Sequence, residues 1–149
     1  RGEDGALNLA ETVIEARAYE LDSFGHVNHA VFLNYFEQAR FEVLARTGFT
    51  YRELLRRGWA IHVVRVEVDY EGEVLLGDRL RIRTWTEEFR RVRMTIRQEA
   101  RREPRDGESQ PTTVARARVA AVWIGKSGRA IRVPSEVRED FEKLDAWVD

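Results

Sequence analysis

The hydrophobic pattern of this chain changes period twice, and those two changes decide which architectures are open to it. Between Thr12 and Tyr19 apolar and charged residues alternate, with Ile14, Ala16 and Ala18 on one face and Glu15 and Arg17 on the other, as in a half-buried strand. From Ala30 to Arg46 the period lengthens to that of a helix. Val31, Tyr35, Ala39 and Val43 form a stripe, and Phe32, Leu33, Phe36 and Leu44 widen it until most of the circumference is apolar. Such a helix must be largely wrapped by other structure. The period then returns to two in Ile61 to Tyr70, Leu80 to Glu87, Val92 to Arg101 and Thr113 to Ile124. One strand, one wrapped helix and four further strands predict an α+β fold: a five-stranded antiparallel sheet, a meander or a near relative of one, curved around a central helix.

The punctuation agrees with that order. Gly48 ends the long helix, and Thr50 caps a short one that runs to Arg57 before Gly58. Residues 72–77, Glu88-Phe89-Arg90 and the polar loop Glu103 to Pro111 separate the strands, with residues 104–110 expected to be mobile. A turn at Lys126-Ser127-Gly128 leads to Ile131-Arg132-Val133. After Pro134 a last helix is expected from Ser135 to Trp147, capped by Ser135. A chain of 149 residues with this layout reads as one domain, 1–149, with a core of its own.

Composition removes several classes of function. The formal net charge is −1, which argues against a general attraction to nucleic acid or to an anionic membrane. There is no cysteine, so disulfides, thiolate metal sites and cysteine nucleophiles are excluded. No apolar run is long enough to span a bilayer, and residues 1–11 lack the apolar segment of a secretion signal, so a soluble, cytoplasmic protein is expected.

The chemistry concentrates where the first strand meets the long helix, in Tyr19-Glu20-Leu21-Asp22-Ser23-Phe24-Gly25-His26-Val27-Asn28-His29-Ala30. Asp22 leaves the strand a few residues before the helix, near the free backbone N–H groups of its first turn, which bind an oxyanion. A carboxylate beside an oxyanion donor makes a hydrolytic site. The alternative is structural: Asp in a loop often closes an Asx turn. Asn28 either caps the helix or touches substrate, and Gly25 either lets the backbone approach a ligand or serves the loop. His26, His29, His62 and scattered carboxylates lack the spacing of a metal site, and no Gly-x-Ser-x-Gly is present, so neither a metal nor a serine triad is expected. Gly125-Lys126-Ser127 has the ending of a phosphate-binding loop, but Ala120 stands where the upstream glycine is required.

The run Asp22 to His29, followed by the helix Ala30-Val31-Phe32-Leu33-Asn34-Tyr35-Phe36-Glu37-Gln38-Ala39-Arg40, resembles the hotdog-fold acyl-CoA thioesterases of the 4-hydroxybenzoyl-CoA thioesterase type, in the branch that reads Asp, then His-Val-Asn-Asn. His29 departs from that branch, which often has a second Asn. The resemblance covers nearly the whole chain. It implies a hotdog fold and hydrolysis of acyl thioesters without a cofactor. Asp22 would act as nucleophile or general base and the His29 backbone N–H as oxyanion donor, with Gly25, His26 and Asn28 beside the substrate. Arg90, Arg91 and Arg93 at a turn, and Arg129 beyond the last long strand, fall where that family holds coenzyme A phosphates; a solvated charged turn is the plainer reading. The family builds its sites at the interface of dimers, often paired into tetramers, so a homodimer or homotetramer acting on acyl-CoA is expected. A hydratase or dehydratase using His26 and Glu37, and a non-catalytic acyl-thioester binder, are the competing readings; otherwise Glu37 is expected to pair with Arg40.

Overall fold

The computed structural model of the chain describes residues 10–145. Its elements are β1 (Glu11–Glu15), a short turn of 3-10 helix (Ala18–Glu20), α1 (Val31–Arg46), α2 (Tyr51–Arg57), β2 (Ala60–Tyr70), β3 (Arg79–Phe89), β4 (Arg93–Arg102), β5 (Thr112–Ile124) and α3 (Ser135–Asp145). The five strands form one antiparallel sheet in the order β1-β3-β4-β5-β2. The expected α+β hotdog arrangement is met: the sheet wraps α1. The simple meander holds only for β3, β4 and β5. β2 crosses to the far edge and pairs with β5, because α1 lies across the inner face and carries the chain from one edge of the sheet to the other.

The core sits between that inner face and α1. Leu80 and Ile82 of β3, Met94 and Ile96 of β4, and Val119 and Trp123 of β5 meet Phe32, Tyr35, Phe36, Ala39 and Val43 of the helix. One polar anchor sits among them. The buried Gln98 side chain donates to the Phe36 carbonyl at 2.9 Å and to Thr84 Oγ1 at 3.1 Å, while its Oε1 accepts from Arg40 at 3.0 Å. These three bonds satisfy the amide and fix the helix on the sheet.

Two expectations about exposure need correction. β1 ends at Glu15, so Ala18 lies exposed in the 3-10 turn rather than on the inward face with Ile14 and Ala16. The helix is also covered on one side only, leaving Leu33 43% and Phe41 44% exposed. β2 shares this bareness. A bulge between Val63 and Arg65 shifts its phase by one residue, so that Ile61 and Val63 pair with inward residues before it and Val66, Val68 and Tyr70 do so after it. Val63, Val64, Val66 and Tyr70 are each at least 40% exposed, whereas Val119, opposite Val66, is fully buried.

The second helix is as expected, with the Glu53 N–H donating to Thr50 Oγ1 and Gly58 left-handed at φ 71°. In α3 the Arg138 N–H donates to the Pro134 carbonyl, so Ser135 lies inside the first turn rather than capping it; the end of the expected helix at Trp147 lies outside the described residues. The loop expected to be mobile is tied down by ion pairs of Arg102 with Glu108 and of Arg105 with Asp78, both 2.6 Å. No helix among the described residues is long and apolar enough to cross a membrane.

Candidate active site

The segment between β1 and α1 is a closed loop whose ends are joined by a bridge from Leu21 to Val27. Inside it the Asp22 N–H donates to the His26 carbonyl at 2.7 Å and the Gly25 N–H donates to the Asp22 carbonyl at 3.1 Å. Gly25 makes the turn with φ +83°, and a Cβ there would meet no atom within 4 Å, so its backbone angle rather than space accounts for the glycine.

The Asp22 side chain fills the loop as an Asx turn: Oδ1 accepts from the Phe24 N–H at 2.9 Å and the His26 N–H at 3.2 Å. The structural reading of Asp22 is therefore present in full. It uses one carboxylate oxygen, and Oδ2 accepts no hydrogen bond among the described residues. The His26 N–H above all, helped by the Phe24 N–H, holds the carboxyl below its usual range, so Asp22 is an anion at neutral pH.

Asn28 sets the start of the helix. Its Oδ1 accepts from the Ala30 N–H at 2.8 Å and its own N–H donates to the Glu20 carbonyl at 2.9 Å. Its carbonyl accepts from the Val31 N–H at 2.9 Å, and this fixes the Asn28–His29 peptide plane. In a trans peptide the N–H points opposite to the carbonyl. The His29 N–H is thereby aimed out of the helix start, and it makes no hydrogen bond among the described residues. On the other side of that residue, the Tyr70 hydroxyl donates to the His29 carbonyl at 2.7 Å, and the Tyr70 ring packs edge-on against Phe32.

Asp22, His26, His29, Phe32, Tyr70 and Glu73 line one open depression of about 350 Å³. His26 Nε2 lies 2.9 Å from Glu73 Oε2, which orients the imidazole at its rim. Glu37 is absent from this depression. It lies eight residues beyond His29, about 12 Å along the helix, at a smaller apolar cavity of about 80 Å³ that it shares with Arg40, Trp123 and Phe141. The expected direct ion pair with Arg40 does not form; that guanidinium bonds to Gln98 instead, although the Glu37 charge still acts on it.

The arginines are elsewhere. Arg90 pairs with Glu88 at 3.0 Å and borders a polar depression on the outer sheet face with Arg65, Arg93 and Arg118. Arg91 and Arg129 lie on neighbouring segments, where the Arg91 carbonyl accepts from Val133 and the Arg129 carbonyl from Gly125, and both residues are exposed. The structure gathers these three at one end of the sheet and Asp22, Gly25, His26, Asn28 and His29 at the other. An eleven-residue strand such as β3 separates the two ends by roughly 33 Å.

Four residues at the site went unread in the sequence: Glu20, Tyr35, Tyr70 and Glu73. Glu20 stands two residues before Asp22, but Tyr35 reads as part of an apolar stripe and Tyr70 as the end of a strand, and their partners are 15 and 41 residues away.

The model of the thioesterase-like superfamily matches residues 16–141. The chain belongs to that superfamily. Among its relatives, the chloroplastic acyl-acyl carrier protein thioesterase ATL2 of Arabidopsis thaliana is 31% identical over 95% of this chain and 72% of its own length. The long-chain acyl-CoA thioesterase FadM of Escherichia coli is 29% identical over 90% of this chain and 98% of its own. Among solved structures, a thioesterase from Thermus thermophilus in complex with coenzyme A and zinc superposes with a TM-score of 0.77 at 27% identity, covering 93% of this chain and 96% of that one. The family and fold implied by the loop and helix are thus met, and the chain is an enzyme of the thioesterase class.

Proposed function

We propose that this chain hydrolyses acyl-CoA or related acyl thioesters to a free acid and a thiol, with Asp22 as the catalytic carboxylate and the His29 backbone N–H as oxyanion donor. The observation that carries the reading is that Asp22, an ionised carboxylate with one open oxygen, and His29, whose N–H is unbonded among the described residues, line the same depression at a helix start. One donor of this kind lowers the barrier by about 3–4 kcal/mol. Two routes use the same anion. Asp22 attacks the carbonyl carbon and expels the thiolate, and water then cleaves the acyl anhydride; or Asp22 takes a proton from water as that water attacks. His26 forms part of the wall beside the thioester, while Gly25 and Asn28, outside the lining, set the loop turn and the helix start.

A hydratase built on His26 and Glu37 is not favoured, since His26 is bonded to Glu73 and Glu37 sits at a different cavity. A second copy of the chain completes the proposal. The bare valines of β2 supply an apolar surface for it, and a homodimer or homotetramer would let Arg90, Arg91 and Arg129 of a neighbouring copy hold coenzyme A phosphates.

The experiment is release of free thiol from a panel of acyl-CoA thioesters of increasing chain length. Turnover of at least one member is expected. Tight binding of the panel with no thiol released from any acyl-CoA or acyl carrier protein thioester would make the chain a binding protein.

A further inference from the structure

Glu20 is a buried carboxylate, 7% exposed, two residues before Asp22. Its Oε1 accepts two hydrogen bonds of 2.7 Å, one from the Arg17 N–H and one from the Tyr35 hydroxyl, and Arg17 adds a 3.2 Å ion pair to Oε2. Burying a carboxylate costs free energy that an apolar side chain at the same place would not. Locally it closes the 3-10 turn on the Arg17 N–H and gives the buried Tyr35 hydroxyl an acceptor.

Its geometry does have a use at the site. Through its side chain Glu20 is tied to Tyr35, one turn into α1. Through its own carbonyl it holds the Asn28 N–H at 2.9 Å, on the residue whose peptide aims the His29 N–H. Through two peptide units it carries Asp22. The Tyr35–Glu20 bond therefore sets the position of the Asp22 loop relative to the helix start, and so the placement of the carboxylate against the oxyanion donor. Tyr35 itself is buried and absent from the lining of the depression, which it meets only through Phe32, whose ring packs edge-on against its own. Burial, reinforced by the Glu20 carboxylate, pushes the Tyr35 hydroxyl upward, so it remains a donor throughout the working range of pH.

We propose that Glu20 and Tyr35 are a positioning pair for hydrolysis: they touch no substrate and act by holding Asp22 and the His29 N–H in register. The proposal rests on the hydrolytic reading of Asp22. Misplacement by about 1 Å can cost up to about 100-fold in rate, and loss of one of several tethers should cost less.

The test is steady-state hydrolysis of the acyl-CoA panel by four variants, with thermal melting alongside. Tyr35→Phe keeps the ring and removes the bond; kcat should fall about tenfold with KM and the melting temperature little changed. Glu20→Gln still accepts from Tyr35 and from the Arg17 N–H, and should stay within about threefold of the unaltered enzyme. Glu20→Ala should match Tyr35→Phe, and the double variant Glu20→Ala with Tyr35→Phe should be no slower than Glu20→Ala alone. Unchanged kcat in Tyr35→Phe, additive losses in the double variant, or a collapse in melting temperature that accounts for the lost rate would each overturn the positioning role. Asp22→Asn run in the same series separates the two claims. If it hydrolyses normally, the hydrolytic reading falls and takes the pair with it; if it is inactive while Tyr35→Phe is fast, only the pair falls.

Discussion

The two ends of the sheet carry different kinds of polar structure. At the Asp22 end, backbone groups and side chains interlock: Asp22, Asn28, Glu20, Tyr35 and Tyr70 each close a defined bond, while Asp22 Oδ2 and the His29 N–H accept or donate none among the described residues. At the Arg90 end long side chains stand in water. Arg90 meets Glu88, Arg118 meets Glu87, and each guanidinium is about half exposed or more. Exposed pairs of that sort contribute about 0–1 kcal/mol and fix little. Chemistry needs the first kind of end, where atoms are held to a fraction of an ångström. Capturing a mobile, multiply charged tail needs only the second. Both ends fit one substrate if neighbouring copies bring them together.

The comparison is broken most directly by Asp22→Asn. Hydrolysis should fall by at least about 100-fold with the circular dichroism spectrum unchanged, the scale for removing a base or nucleophile; near-normal turnover would leave the interlocked end without a catalytic role. Next comes the surface that is to join the ends. Val66→Asp places a charge in the bare strip of β2, and light scattering should show the mass falling to that of one 17.4 kDa chain, with hydrolysis per chain reduced about tenfold. A fully active single chain would show that the arginine end is not needed in trans.

Replacing Arg90 and Arg91 together by Ala should sharpen the division of labour. KM for acyl-CoA is expected to rise about fivefold with kcat unchanged, since remote phosphate contacts supply uniform binding. N-acetylcysteamine thioesters, which lack those phosphates, should be unaffected, and equal losses on both substrates would move these arginines from binding to structure. The smallest effect concerns the tethered loop near the Asp22 end. Arg102 first, with the Arg105 N–H, holds the Glu108 carboxyl at about 2. A carboxylate depressed in the folded state contributes stability that is complete above its unfolded value of about 4.3 and lost as pH falls through the folded one. Glu108→Gln should therefore flatten the decline in denaturation midpoint between about pH 4 and pH 2, leaving hydrolysis unchanged.

The sequence shows the fold because hydrophobic period is a local property, and the two period changes mark one strand, one helix and four strands. Even the β2 bulge leaves a trace, since Ile61 and Val63 keep one phase and Val64, Val66 and Val68 another. The far-edge pairing of β2 leaves none, because it depends on how α1 lies across the sheet. At the site, Asp22 is legible as a carboxylate beside a helix start. Tyr35 and Tyr70 are not, because each is chosen by a partner distant in sequence. Arg90, Arg91 and Arg93 are legible as a cluster, with Arg129 joined to them only by the resemblance, but strand direction decides that Arg90, Arg91 and Arg129 stand at the other end of the sheet from Asp22, a strand length of roughly 33 Å away.

The central claim is that one site draws its carboxylate from one chain and its phosphate-binding arginines from another, and mixed oligomers test it. Asp22→Asn chains and Arg90→Ala, Arg91→Ala chains are combined, exchanged and assayed at acyl-CoA concentrations well below KM. In a two-fold dimer each mixed pair regains one intact site, so an equal mixture should reach about 0.3 of the unaltered rate, against about 0.1 for the mean of the two parents. A mixture that gives only that mean would place both ends of the site in the same chain, or the arginines outside it.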